Sequence, residues 1–383
     1  YCHIPNSLFD AITFLAQALP KRSVPTWLEL LFGAMLTQAG FVTEAYLAIS
    51  PRRHWTIYYK WLQKGHWSWV ALGLQTGRLA LRHIQGKRCF IVIDDTVVFR
   101  CSKKAPESRI HHQYGKKANR PTYVRGQNWV SLALTVSQGW RSLAIPVLSR
   151  LSRTTGNSGK LVAAKTLLRV VRPLFKGHIA TLLVDCWYMR KNLLLPAQRM
   201  GYQVIGQVRK DTALYLYPPP HNGKRGRPRK YGDKLTPEKV ADLPMVSQKL
   251  FLYGRWQTLH YRSIEALAYF LEGQPVRVVW TQMEQADGCL SQPRLFLSTD
   301  LSLSATRILL AYGRRWSIED LFNQLKNRWG WKESWQRTRH VLHRWTQILS
   351  TSYALPQLLA LQGGRQVQEL ADLSPWRVKQ PIT

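Results

Sequence analysis

The stretch CFIVIDDTVVFR, residues 89–100, decides how the rest of the chain is read. An apolar run rich in β-branched residues leads into two adjacent aspartates, Asp94 and Asp95. Such a run suits a buried strand better than a helix. A carboxylate at the end of a buried strand in a mixed sheet points into the crevice where ligands bind. The competing reading is that it caps the turn that follows.

Working outward from this strand, the period changes on both sides. Residues 1–85 show apolar spacings of three and four, as in WLELLFGAMLTQA, with Pro25 and Pro51 as punctuation, which predicts helices. Two readings stand for this part: a small DNA-binding domain, or a helical cap. Downstream, WVSLALTVSQGWRSLAIPVLSRL reads as two strands joined by a tight turn at Ser137-Gln138-Gly139. Helix GKLVAAKTLLRVVRPLF, strand HIATLLVD, helix KNLLLPAQRMG and strand YQVIGQVR follow. Strand, hairpin, helix, strand, helix, strand describes an α/β fold, a mixed sheet with helices on its faces, over residues 86–210. Residues 211–300 read as a β-rich insertion entered through the basic loop PPPHNGKRGRPRKYGDK. One helix is expected from an N-cap at Ser304 to a C′ residue at Gly330, within a segment spanning 301–335. Residues 336–383 read as further helix with a loose tail.

Charge narrows the function. The 383 residues carry 55 Lys plus Arg against 21 Asp plus Glu, a net charge of +34, and a polyanion such as nucleic acid is the usual partner of such a chain. The basic residues are spread along the chain without a juxtamembrane cluster, and the longest apolar stretch is interrupted by Glu29, Gln38 and Glu44, so no membrane association is expected. Five cysteines without a CxxC pair suit reduced thiols in a cytoplasmic protein better than a disulfide framework or a zinc site.

In so acid-poor a chain the remaining carboxylates stand out. Between Glu44 and Asp211 only four occur, Asp94, Asp95, Glu107 and Asp185, and three of these end predicted buried strands. A fifth is conspicuous in YGRRWSIEDLFNQLK, residues 312–326. On a continuous helix Tyr312, Arg315, Glu319 and Lys326 fall within roughly 60° of arc. Carboxylates drawn together repel unless a cation neutralises them, and an oxygen-only set suits Mg²⁺ or Mn²⁺ rather than zinc. Two such ions assist phosphodiester displacement. The plainer reading of the stripe is a solvated face with Glu-Arg and Glu-Lys pairs.

The spacing Tyr-x2-Arg-x3-Glu-x6-Lys, together with IVIDDTVVF and LLVDCWY, resembles the signature blocks of bacterial DDE transposases of the insertion-sequence family numbered four and its relatives. The blocks occur in the same order, Asp95 to Asp185 being 90 residues and Asp185 to Glu319 being 134, and the likeness covers about residues 89–330. It implies an RNase H-like catalytic domain with a β-rich insertion before the glutamate helix, and metal-dependent cleavage and strand transfer of transposon-end DNA. By position, Asp95, Asp185 and Glu319 would be the catalytic, metal-binding triad. Asp95 is preferred because it precedes Thr96 as in the family block, and Asp94 would then face the other side of the strand, since neighbours alternate. Tyr312, Arg315 and Lys326 would grip phosphates, and a homodimer would synapse two DNA ends. Family members often stack a flipped base on an insertion aromatic, for which Trp256 and Trp280 are the candidates. Arg225 and Arg227 in KRGRPRK resemble a minor-groove hook, and Lys116 and Lys117 are further candidate backbone contacts. A same-fold nuclease that cuts without joining, and an inactive DNA-binding derivative, remain as alternatives.

Overall fold

The computed structural model describes residues 6–112, 121–139, 141–153, 157–220, 227–285 and 288–362. Five helices come first: α1 (Asn6–Ala16), α2 (Val24–Leu36), α3 (Val42–Leu47), α4 (Trp55–Lys64) and α5 (Trp69–Leu81). Strands β1 (Arg88–Phe99), β2 (Arg109–His112), β3 (Tyr123–Gln138) and β4 (Arg141–Leu151) follow, then α6 (Asn157–Val171), β5 (Ile179–Val184), α7 (Lys191–Arg199) and β6 (Gln203–Val208). Next are β7 (Leu214–Tyr215), α8 (Pro237–Ala241), β8 (Val246–Leu252), β9 (Arg255–Ala268), β10 (Gln274–Met283) and β11 (Arg294–Ser298). Helices α9 (Ala305–Gly313), α10 (Ser317–Asn327) and α11 (Arg339–Gln362) complete the described chain.

All described strands belong to one 11-stranded sheet, ordered β2-β3-β1-β5-β6-β11-β10-β9-β7, with β4 on β3 and β8 on β9. Its centre, β1-β5-β6, is parallel, as the intervening helices require, and both flanks are antiparallel. The β3–β4 hairpin turns at Gly139, whose φ of +58° suits glycine, as its sequence predicts. Pro146 lies at a register shift in the β3–β4 pairing, where a residue without an N–H is tolerated.

Pairing and packing join the segments to one another. The β-rich segment after residue 211 is an extension of the same sheet, because β11 pairs antiparallel with β6 from Leu295 opposite Val208 to Ser298 opposite Ile205. The first helices pack on the sheet, where Leu15, Trp27, Leu30 and Leu72 share one buried cluster with Ile91, Leu132 and Leu182. The C-terminal helix is more deeply buried than a basic surface helix would be. In α11, Trp345, Ile348 and Leu355 join that cluster, while Leu342 and Tyr353 join the one on the opposite face. The expected tail lies outside the described residues. No helix among the described residues is long and apolar enough to cross a membrane.

Two contacts fix the first helices to the rest. Arg344 of α11 donates to the carbonyls of Leu62 (2.8 Å), Gly65 (2.6 Å) and Trp67 (2.7 Å), closing the end of α4. The loop after α2 meets the loop after α10 backbone to backbone: a β-carbon on Gly40 would overlap the Gly330 carbonyl, and one on Gly330 would overlap Gly40 N. Around this contact Glu333 accepts the Gly40 N–H at 2.8 Å, and the Trp345 indole donates to the Gly40 carbonyl at 2.7 Å.

His343 of α11 is 5% exposed, bonded to the Arg339 carbonyl (2.8 Å) through Nδ1 and to the Leu151 N–H (3.3 Å) through Nε2. Burial, joined by the charges of Arg339 and Arg150, pushes its imidazole down to about 4. The unfolded chain therefore binds this proton first, near pH 6.5, so the stability it supports is full above pH 6.5 and falls as pH drops toward 4. The full loss is about 3 kcal/mol. Urea unfolding at pH 7 and pH 4.5 should show a pH slope in the native protein that is shallower in His343→Gln.

Candidate active site

Strand register decides which aspartate faces the crevice. β1 runs parallel to β5 with Val92 beside Leu183, the last residues paired. Two residues further along each strand are Asp94 and Asp185, so alternation points both the way of Val92 and Leu183, which lie in one buried cluster with α10. Ile91 and Ile93 belong to the cluster on the other face, and Asp95 follows their parity. The sequence reading preferred Asp95 and expected Asp94 on the other side of the strand, whereas it is Asp94 that shares the parity of Val92, packed with α10. A strand apolar on both faces gives no signal of which of two adjacent residues points where.

The partners agree with the register. Arg315 bonds Asp94 Oδ2 through Nη1 at 2.9 Å, and its Nη2 stands 3.6 Å from Glu319 Oε1. Asp94 also accepts the Asp95 N–H at 2.8 Å. Asp185 accepts the Tyr188 N–H at 3.0 Å, from the turn that follows β5. Asp95 is held elsewhere, by Lys160 of α6 (2.7 Å), Asn128 of β3 (2.7 Å) and the Tyr188 hydroxyl (3.0 Å). Lys160, Asn128 and Tyr188 were not singled out from sequence. Tyr188 was within reach, three residues after Asp185 in the same block, whereas Lys160 and Asn128 come together only through the fold.

Electrostatics mark Asp94 and Arg315 as the centre. Burial, and then the charge of Asp185, pushes the Asp94 carboxyl up to about 8, against the pull of Arg315. Burial likewise raises Asp185, opposed by the Tyr188 N–H and by Arg315. Burial alone would lower the Arg315 guanidinium, but Tyr312, Asp94, Glu319 and Asp185 outweigh it and hold the cation in place.

The helix carrying Glu319 departs from its expected form. Ser304 is the N-cap, its hydroxyl accepting the Arg307 N–H at 3.3 Å. The helix then tightens to a 3₁₀ turn over Arg314–Trp316 between α9 and α10. At about 120° per residue rather than 100°, this turn brings residues three apart into line, and Arg315 stays near Tyr312, 5.8 Å from its ring centre, and near Glu319, at 3.6 Å. A β-carbon on Gly313 would crowd Leu252 Cδ2 at 2.8 Å, so the backbone approaches the β8–β9 hairpin closely just where the winding changes. Tyr312 is buried, its ring 4.6 Å from that of Phe296. Arg315 is buried among the acids, the Glu319 side chain is 45% exposed, and Lys326 is half-buried two turns further along α10. Gly330, with φ +62°, lies beyond the end of α10 and serves the contact with Gly40 rather than a C′ position.

The remaining candidates are scattered. Arg227 is exposed on its loop, while Arg225, Lys116 and Lys117 lie outside the described residues. Trp256 is exposed beside the β8–β9 turn, and Trp280 lines a cavity of about 290 Å³ with Tyr261, Thr281 and Arg294. Among the described residues no three acidic, histidine or cysteine side chains stand close enough as they are to hold a metal ion. The guanidinium of Arg315 bridges Asp94 and Glu319 instead. The donor set itself is all carboxylate oxygen, which fits a hard divalent cation, and Arg315 already supplies positive charge at that point.

The mixed sheet thus carries Asp94 and Asp185 on adjacent parallel strands, on the side covered by the helix that bears Glu319. The chain belongs to the DDE superfamily endonucleases, whose family profile matches residues 15–266. No curated protein sequence matches the chain. The matched span carries Asp94, Asp95 and Asp185 and ends before Glu319, so the glutamate's membership of the site rests on geometry and on the resemblance of its own block. Membership of this family implies a DNA substrate.

Proposed function

We propose that the chain is a DNA transposase of the DDE type, which cleaves transposon ends and joins them to a target, with Asp94, Asp185 and Glu319 as its acidic triad. The observation that carries this reading is the shared face of Asp94 and Asp185, with Arg315 linking Asp94 to Glu319. These three residues would hold Mg²⁺ or Mn²⁺, which when bound lowers the pKa of the attacking water or 3′-hydroxyl and neutralises charge on the phosphate. A cation held there would offset the burial and the Asp185 charge that disfavour the ionised Asp94 carboxylate. Arg315 would offer its guanidinium fork to phosphate oxygens, and Lys326 and Arg227 would follow the backbone away from the cleavage point. A homodimer would hold two ends together.

The test is incubation of the chain with Mg²⁺ and plasmid carrying the inverted repeats that flank its reading frame. Expected products are ends with free 3′-hydroxyls, followed by molecules joined to target DNA, and Asp185→Asn or Glu319→Gln should yield neither. The matched family is described as endonucleases, which favours cleavage without joining as the second reading. Cut ends that never appear in joined products would decide for it.

A further inference from the structure

Asp95 sits beside the proposed triad yet faces away from it. We infer that Asp95 is a positioning residue, which holds Tyr188 and through it the turn that orients Asp185; the inference rests on the acidic site proposed above. Both carboxylate oxygens of Asp95 are engaged. Oδ2 accepts from Lys160 Nζ at 2.7 Å and from Asn128 Nδ2 at 2.7 Å, and Oδ1 accepts from the Tyr188 hydroxyl at 3.0 Å. Taking Asp95 as a cation ligand would disrupt a mostly buried ion pair and its accompanying hydrogen bonds, which is costly where the charges are poorly solvated.

Tyr188 joins the two aspartates. Its hydroxyl bonds Asp95, while its backbone N–H bonds Asp185 Oδ1 at 3.0 Å. The ring is 0% exposed, so its hydroxyl cannot exchange the Asp95 bond for one to bulk water. Lys160 holds the same turn a second time, its ammonium 4.8 Å from the centre of the Trp187 ring. Arg190 lies 5.1 Å from that ring centre and donates to the Trp187 carbonyl at 2.9 Å. The turn over residues 186–188 is thus tied to β1, β3 and α6 through one carboxylate, and Asp185 takes its orientation from that turn. Groups that orient a ligating side chain from behind typically alter metal affinity 10–100-fold when removed.

The test compares Asp95→Asn, Tyr188→Phe and the double variant in the full chain by two readouts. Tyr188→Phe removes one hydroxyl and keeps the buried ring, so it tests the link where Asp95→Asn perturbs the fold. In the metal-free protein, amide hydrogen exchange at residues 186–188 should accelerate about tenfold in each single variant, with little further change in the double. Mn²⁺ affinity measured by calorimetry should fall about tenfold in each, again without adding up. Unchanged exchange in Tyr188→Phe would overturn the inference. So would complete loss of Mn²⁺ binding in Asp95→Asn beside unaltered binding in Tyr188→Phe, since that pattern belongs to a direct ligand. If the native chain binds no Mn²⁺, the metal reading fails, and the exchange data alone decide whether Asp95 positions the turn.

Discussion

Asp94→Asn is expected to abolish metal-dependent cleavage of end-bearing DNA, a loss of at least about a thousandfold, equivalent to some 4 kcal/mol of transition-state stabilisation. Asp95→Asn, by contrast, should keep measurable cleavage. The reason is the register that sets Asp94 beside Asp185 and the ion pair that ties Asp94 to Arg315. Asparagine keeps the size and shape of the Asp94 side chain, and its carbonyl oxygen can still accept from Arg315. The variant should therefore fold and bind DNA, so that loss of nicking on a supercoiled plasmid, with normal retardation of an end oligonucleotide, reports chemistry alone. Continued nicking by Asp94→Asn, with Asp95→Asn silent, would return the assignment to Asp95.

The second large effect is on stability. Arg344→Met should lower the free energy of unfolding by about 3 kcal/mol or more, read from the midpoint of urea unfolding at constant slope. Arg344 is 4% exposed, and its guanidinium serves the carbonyls of Leu62, Gly65 and Trp67. Methionine matches much of the volume but donates nothing, so the Leu62 and Trp67 carbonyls lose this donor and Gly65 keeps only the Trp67 N–H. Stacking between Trp61 and Trp67, with ring centres 4.6 Å apart, depends on the same turn. Arg344→Lys should recover only part of the loss, because a single ammonium cannot span carbonyls from both sides of the turn. A midpoint unchanged by Arg344→Met would mean that water replaces the guanidinium at this site.

Much of this architecture was legible in the residues. The change of period at Cys89 located β1, the Ser137-Gln138-Gly139 turn located the β3–β4 hairpin, and Ser304 located the start of α9. Local chemistry fixes each of these. What stayed hidden depends on pairing across the fold. The face taken by Asp94 follows from its register with β5, and an all-apolar strand does not encode that parity. The 3₁₀ turn at Arg314–Trp316 begins where Gly313 passes close to Leu252, a residue on a strand distant in sequence. The first helices looked separable because their own periodicity was complete; their apolar faces are satisfied by β4 and α11 instead. The acid-poor composition was the most informative signal for the site. It drew attention to Asp94, Asp95 and Asp185 before any geometry was known, although it could not distinguish the role of Asp95 from that of its neighbour.

The meeting of Gly40 with Gly330 has a mechanical side. Side chains between two segments act as a cushion, since rotamers adjust before backbones do. Here two main chains touch directly, braced by Glu333 and Trp345, so the joint has almost no slack. The loop after α2 and the segment that follows α10 are therefore seated on one another by main chain, and a side chain at either glycine would have to move them apart.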